Sequence, residues 1–330
     1  MNPSPLVNWF REIKRDLPWR NEATPYSVWI SEMMLQQTQV KTVIPYFEKW
    51  MAVFPNLKSL ANSSIDEVIK LWEGLGYYSR ARYIHESAVK LVEQGHSCIT
   101  EDNLQYIKGL GPYTRGALLS FAFKKRAAAV DGNVLRVMSR LTLFEEDVSL
   151  PRSRDEIEKR TLCFLPNDKP WETMEALIEL GALVCKKTPE CTKCPLLNQC
   201  EAFKKGRVLD LPVKKRGPKV TKLERTVLII ESAEGYLVKK GSKGKIMADL
   251  YEFPWFEGHE NIEKHLSETF GAADILQKLE TVSHGFTRYQ AKLFPYRIKL
   301  KGTYIGEYVW QKDLKKIPFS SGHRKIVAIL

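Results

Sequence analysis

Up to about residue 205 the apolar positions recur at helical spacing. In VKTVIPYFEKW, Val40, Val43, Ile44, Phe47 and Trp50 fall three and four residues apart, and SIDEVIKLWEGLGYYSRARYIHESAVKLVEQ repeats that period around a glycine break. Residues 206–224, GRVLDLPVKKRGPKVTKLE, carry charge, proline and glycine with little periodicity, and read as a linker. Beyond it the period changes. RTVLIIES and GYLVKK read as two strands around a Glu-Gly turn, and YQAKLFPYRIKLKG alternates like another. The pattern therefore predicts a mostly α region over 1–205 and an α+β domain over 225–330, with no solenoid repeat.

With 330 residues, 44% of them hydrophobic, the chain can bury a core and is long enough for two domains. Its first residues, MNPSPLVNWFREIKRDLPW, interleave charges with apolar positions, and no run reaches the length needed to span a bilayer, so a soluble cytosolic protein is expected. The 51 Lys and Arg against 39 Asp and Glu give a net charge of +12. Basic clusters such as Lys124-Lys125-Arg126 and VKKRGPKVTK favour a polyanionic partner without deciding which.

One glycine hairpin, KGLGPYTRGALLSFAF (108–123), runs straight into an apolar helical stretch. It lacks the Gly-Lys-Ser/Thr closure of a P-loop and the preceding strand and third glycine of a dinucleotide site. DNLQYI before it reads as helical with Leu104 and Ile107 inward; after it Pro112 suits a first helical turn and Leu118, Leu119 and Phe121 form a buried stripe. Gly109 and Gly111 then let backbone amides approach a phosphate at a helix N-terminus, the helix-hairpin-helix arrangement. A tight αα-turn without ligand is the alternative. Four of six cysteines, Cys185, Cys191, Cys194 and Cys200, crowd into CKKTPECTKCPLLNQC, which suits a 4Fe–4S cluster with structural zinc as its rival. Cys98 and Cys163 stand apart and are expected in the core.

Taken in order, WISEMMLQQTQV, LWEGLGYYSRAR, IKGLGPYTRGALL, VDGNVLRVMSR and the cysteine loop resemble the MutY-type adenine DNA glycosylases of the endonuclease III superfamily, from about residue 8 to the C-terminus. One departure is that five residues separate Cys185 from Cys191, one fewer than the family usually has, while the later spacings fit. The resemblance implies a six-helix barrel module plus an iron–sulfur module made by the N-terminal segment and about 125–205, and a Nudix-like domain at 225–330. It implies one 4Fe–4S cluster, a monomer, and duplex DNA carrying A:8-oxoguanine or A:G mispairs as partner and substrate.

Glu32 has Val28, Trp29 and Leu35 at adjoining helical positions, an apolar setting that would hold a proton near neutrality; a partly exposed helix glutamate is the alternative. The resemblance assigns it protonation of adenine at N7, and assigns Asp131 stabilisation of the oxocarbenium ion, where DGN would equally suit a helix cap. It places Arg20 and Glu175 at the adenine pocket, positions that half of a surface ion pair would also explain. Gln37, Thr38, Leu75 and Tyr77 it places beside 8-oxoguanine, though Leu75 and Tyr77 would otherwise be read as core. Tyr113 stands where bifunctional relatives have the lysine that forms a Schiff base, which implies an enzyme that stops at the abasic site. Within the C-terminal domain Ser283 and His284 match the 8-oxoguanine reader, and ENIEKHLSETFG lacks the glutamate pairs that bind magnesium in a working Nudix hydrolase. A bifunctional glycosylase/lyase, a non-catalytic iron–sulfur DNA-binding protein and a nucleotide-sanitising hydrolase are the competing readings.

Overall fold

The computed structural model describes residues 1–215, 220–242, 247–259, 261–286 and 288–330. The chain forms two compact units, Met1–Asn62 with Glu86–Gly217, and Ser63–His85 with Pro218–Leu330. The helical segment 63–85 thus groups with the C-terminal part, a departure from the division into 1–205 and 225–330.

In chain order the first unit begins with α1 (Ser4–Ile13), α2 (Pro18–Asn21), α3 (Pro25–Leu35), α4 (Val40–Val53) and α5 (Leu57–Ala61). The second unit contributes α6 (Ile65–Trp72), and α7 (Ser79–Glu93) starts there and returns to the first unit. The first unit then continues with α8 (Pro112–Ala117), α9 (Gly132–Leu141), α10 (Pro151–Phe164), α11 (Pro170–Leu183) and α12 (Glu201–Lys204).

Helix α3 is set by Thr24, whose hydroxyl accepts from the Ser27 amide at 3.1 Å, and by Pro25 in the first turn. Every residue from Tyr26 to Met34 is buried, so this central helix has no solvent face and Glu32 is enclosed with the rest. Helices α9 and α11 approach closely: a Cβ on Gly181 would lie 2.6 Å from Asn133 Cβ, so only glycine allows that spacing. Residues Asp102–Tyr106 form a 3₁₀ turn with Leu104 and Ile107 buried, as the pattern predicts. The stretch after the hairpin differs from the regular helix expected. Leu118–Ala122 is a π-helical turn in which the Phe123 amide bonds to Leu118 O, and this wider turn carries Leu119 partly off the buried face that keeps Leu118 and Phe121. Cys98 and Cys163 are both exposed, against the core position expected of them. Cys163 shares α10 with Ile157, Thr161 and Phe164 but lies off the face they bury.

In the second unit, β1 (Thr221–Ser232) starts inside the segment read as linker, and residues 216–219 of that segment lie outside the described residues. There follow β2 (Gly235–Lys240), β3 (Tyr251–Glu252), β4 (Trp255–Glu257), α13 (Ile262–Thr269), β5 (Ala273–Lys278), β6 (Val282–Phe286), β7 (Tyr289–Leu300), β8 (Val309–Gln311) and α14 (Ser321–Val327). Strands β1 and β2 make the expected hairpin, with Glu231 opposite Tyr236. Strand β1 also runs parallel to β7 over ten paired positions, from Thr221↔Tyr289 to Ile230↔Ile298, and β6 pairs antiparallel with β7, Ser283 opposite Lys292. Thr226–Ile230 is buried without alternation because both faces of β1 are covered. Val227 and Ile229 pack with Phe253, Phe319 and Ile326; Leu228 and Ile230 pack with Leu266 and Ile298. Among the described residues no helix is long and apolar enough to cross a membrane.

Candidate active site

In the first unit a cavity of about 100 Å³ is lined by Trp19, Arg20, Glu32, Tyr113, Phe121 and Glu175, among others. Glu32 is 5% exposed. Burial pushes its carboxyl up to about 7; the charges of Asp131 and Glu175 add to the shift, while a hydrogen bond from Tyr113 and the charge of Arg20 oppose it. Its Oε2 is buried with no hydrogen-bond partner among the described residues, which suits a neutral acid better than a carboxylate. The Tyr113 phenol is held well above its ordinary value by burial and by Glu32 and Asp131, so it is a hydroxyl donor.

A wider groove of about 1380 Å³ is lined by Gln37, Thr38, Gly109, Gly111, Tyr113 and Asp131, with others. Tyr113 therefore lines both spaces. Asp131 caps α9: its Oδ1 accepts from the Asn133 and Val134 amides at 2.9 and 2.7 Å, and its Oδ2 from Asn133 Nδ2 at 2.9 Å. The cap reading of DGN is thus correct as local structure, and the same bonds aim the carboxylate. Burial raises the Asp131 carboxyl above its ordinary value, against these three bonds and Arg136. Gly109 has φ +75, which favours glycine, but Gly111 has φ −69 and a Cβ there would meet nothing within 4 Å. Neither backbone conformation nor internal packing requires glycine at 111, so the residue leaves room on the groove side.

At the far side of the cavity Arg20 Nε lies 3.0 Å from Glu175 and its Nη1 3.0 Å from Glu179 Oε1. Arg15 Nε lies 3.0 Å from both oxygens of Glu179, whose side chain is fully buried. Burial acts to raise the Glu179 carboxyl, but the two guanidiniums outweigh it and hold it below the ordinary value. Burial raises Glu175 despite Arg20. Arg15, Glu179 and Asn133 were missed in the sequence. Glu179 sits one turn beyond Glu175 in TMEALIELG and Asn133 two residues beyond Asp131, spacings that place them near the site but do not reveal their partners.

Leu75, Tyr77, Ser283 and His284 lie in the second unit. Leu75 is buried, whereas Tyr77 is 40% exposed and has φ +48, so it is not core. Ser283 is exposed on β6, its carbonyl accepting from Lys325 Nζ at 2.9 Å. The His284 ring stacks on Phe286 at 5.2 Å, and burial lowers its pKa to about 4, so it is a neutral imidazole.

The four clustered cysteines occupy the loop between α11 and α12. Arg140 Nη1 lies 3.3 Å from Cys185 Sγ, and Cys200 Sγ lies 3.6 Å from Arg140 O. Burial raises the thiols of Cys191, Cys194 and Cys200, Cys194 to about 11, and the charges of neighbouring cysteines push each further. Among the described residues no three such side chains converge on a point that could hold a metal ion. The sulfurs are near enough to feel one another, and four soft cysteine sulfurs with Arg140 beside them are a donor set that fits an iron–sulfur cluster.

Residues 30–163 match the profile of the HhH-GPD superfamily base excision DNA repair proteins, and residues 225–328 that of the NUDIX domain. The adenine DNA glycosylase of Buchnera aphidicola subsp. Acyrthosiphon pisum is 32% identical over 330 residues, covering 97% of this chain and 89% of that protein. The chain belongs to the adenine DNA glycosylase family. The adenine DNA glycosylase of Mus musculus is 42% identical over 224 residues, but there the chain spans only 44% of the relative's length. Among solved structures, a thermostable thymine-DNA glycosylase (TM-score 0.56, 24% identity, 62% of this chain and 95% of that one) and a trapped endonuclease III–DNA covalent intermediate (TM-score 0.52, 24% identity, 62% and 94%) share the fold. Glu32, Tyr113 and Asp131 fall inside the base-excision-repair match of this adenine DNA glycosylase family member, Arg20 before it and Glu175 after it. Ser283 and His284 fall inside the NUDIX match.

Proposed function

We propose that the chain is a monofunctional adenine DNA glycosylase that removes adenine opposite 8-oxoguanine or guanine in duplex DNA, acting as a monomer in the cytoplasm. The observation that carries this reading is the meeting of Glu32, Tyr113 and Asp131 at the junction of cavity and groove, with Glu32 protonated near neutrality. The adenosine leaves the stack, at a cost of a few kcal/mol, and its base enters the cavity. Glu32 gives its proton to N7, making the base a better leaving group. As the bond from sugar to base breaks, Asp131, on the groove side, faces the positive charge that grows on the sugar, and water then adds to the sugar carbon and gives up a proton. Tyr113 is hydrogen-bonded to Glu32 and lies close enough to Asp131 to feel its charge. Arg20 and Glu175 border the base at the opposite wall. Gln37, Thr38, Leu75 and Tyr77 fill and wedge the helix, Gly109 and Gly111 meet a phosphate, and Ser283 and His284 read the opposite base. Residues 1–205 supply the chemistry and 225–330 the recognition. Cys185, Cys191, Cys194 and Cys200 hold a 4Fe–4S cluster, which when bound cross-links their loop and leaves the acid–base chemistry to the side chains above.

Because Tyr113 carries no amine, it forms no imine with the sugar and the strand stays whole. The deciding assay offers duplexes carrying A:8-oxoguanine, A:G, A:T or an oxidised pyrimidine, read with and without alkali. Adenine release from the first two, with cleavage only after alkali, is expected. Efficient nicking without alkali, or action on the oxidised pyrimidine alone, would overturn the reading.

A further inference from the structure

Glu73 ends α6 immediately before the GLGYY loop, and its side chain is only 13% exposed. Its Oε1 accepts from Arg324 Nε at 2.6 Å and from the Phe319 amide at 3.0 Å, and its Oε2 from Lys70 Nζ at 2.7 Å. Arg324 lies on α14, where it also donates to Leu314 O and Ile317 O. On one side of this joint the loop is stiff. Gly74, Gly76 and Tyr77 all have positive φ, and buried Arg80 donates to the carbonyls of Leu75, Gly76 and Tyr77. On the other side α14 holds the strand that carries Ser283 and His284. Lys325 binds Ser283 O, and Gly322 sits so close that a Cβ would lie 2.5 Å from His284 Nε2. Two further pairs, Arg82 with Asp249 at 3.4 Å and Lys240 with Asp66 at 2.6 Å, join residues 63–85 to other parts of the same unit.

We propose that Glu73 and Arg324 are positioning residues for opposite-base specificity: their ion pair fixes Leu75 and Tyr77 relative to Ser283 and His284, so that wedge and reader engage one nucleotide together. The inference rests on the reader role given above to Ser283 and His284. A joint of this kind explains why a half-buried ion pair with short, charge-assisted geometry stands beside a loop that holds Tyr77 at positive φ.

The test is single-turnover adenine excision from A:8-oxoguanine and A:G duplexes by full-length wild type, Glu73→Gln, Arg324→Met and the double variant. Each single change should lower the preference for 8-oxoguanine about tenfold, the scale of one charge-assisted bond, with the A:G rate altered less than twofold. The double variant should lose no more than either single one, because the partners act as one unit, and Arg324→Lys should recover most of the preference. Glu73→Gln keeps shape and an acceptor for Phe319, and thermal unfolding checks its fold. Equal losses on both duplexes, additive losses, or an unchanged preference would each refute the joint. Ser283→Ala separates the two ideas. If it abolishes the preference while the Glu73 and Arg324 variants keep it, the joint alone is wrong; if wild type has no preference, or Ser283→Ala keeps it, the reader assignment itself is wrong.

Discussion

Two glutamates of the first unit, Glu32 in the cavity wall and Glu179 on the arginines Arg15 and Arg20 that line it, are both buried, yet they take opposite charge states. Glu32 on α3 is pushed up to about 7, while Glu179 on α11 is held below the ordinary carboxylate value. Burial acts in the same direction on each. The difference is in the partners: Glu179 meets Arg15 and Arg20, whereas Glu32 meets a neutral phenol and keeps one oxygen without a partner. Desolvating an ion costs several kcal/mol, and a bond to a charged group returns about 1.5–3, so two guanidiniums suffice and one phenol does not. Arg20 is spent on Glu175 and Glu179, and so reaches Glu32 only as a weak opposing charge. Glu32 stores a proton; Glu179 is a clamp.

The comparison breaks most severely at Glu32. Glu32→Gln keeps the shape and removes the acid, so single-turnover adenine release should fall by at least about 100-fold, within the range general acid catalysis contributes, while mispair binding survives. Substantial base release by this variant would remove Glu32 from the acid role. Glu179→Ala leaves Arg15 and Arg20 without their shared carboxylate. It should cost about 3–5 kcal/mol of stability in denaturant unfolding, the scale of breaking a buried pair. A loss below about 1 kcal/mol would mean that the clamp is solvated and that Glu179 gains little from the two arginines.

How far this was visible in the sequence follows from what each signal depends on. The change of period from helical to alternating located both halves, because amphipathic spacing is local. It could not show that residues 63–85 group with the C-terminal part, since that rests on long-range pairs such as Glu73 with Arg324 and Lys240 with Asp66. Glu32, Tyr113, Asp131, Arg20 and Glu175 were legible as family positions, and the structure brings them to one cavity and its adjoining groove. Glu179 was not, because a glutamate among leucines reads as one more helix position until two arginines from another part of the chain are seen on it. The exposed Cys98 and Cys163 failed for the converse reason: residue type suggested burial where helix phase and loop position decided otherwise.

The protonated acid should also leave a mark on stability. Glu32 is raised from 4.5 to about 7 on folding, so the folded chain holds a proton that the unfolded chain has released. Stability then falls as pH rises from about 4.5 to 7, and the full cost, about 3 kcal/mol, is present above 7. Glu32→Gln removes that cost. The variant should therefore be more stable than wild type by about 3 kcal/mol at pH 8, a difference that shrinks toward zero near pH 4, in urea unfolding at matched salt. A variant equally stable at both pH values would show that Glu32 is ionised in the folded protein.

The smallest effect is expected at Tyr113, and it tests which form of Glu32 the phenol favours. The hydrogen bond from Tyr113 lowers the Glu32 pKa, so it stabilises the carboxylate more than the acid, even though burial wins overall. Tyr113→Phe removes that bond and leaves the burial, which should move the alkaline limb of the excision profile to higher pH by less than one unit, the size of a single net hydrogen bond. The tyrosine's own ionisation does not intrude, because burial and the two carboxyl groups hold its phenol well above the ordinary value. The variant also loses the hydroxyl dipole beside Asp131, so its rate on the acid plateau should drop while its limb moves up, and the two changes are separable in one pH series. A limb that moves to lower pH would mean that the phenol accepts from a protonated Glu32, with the Tyr113 hydroxyl turned toward Asp131 instead.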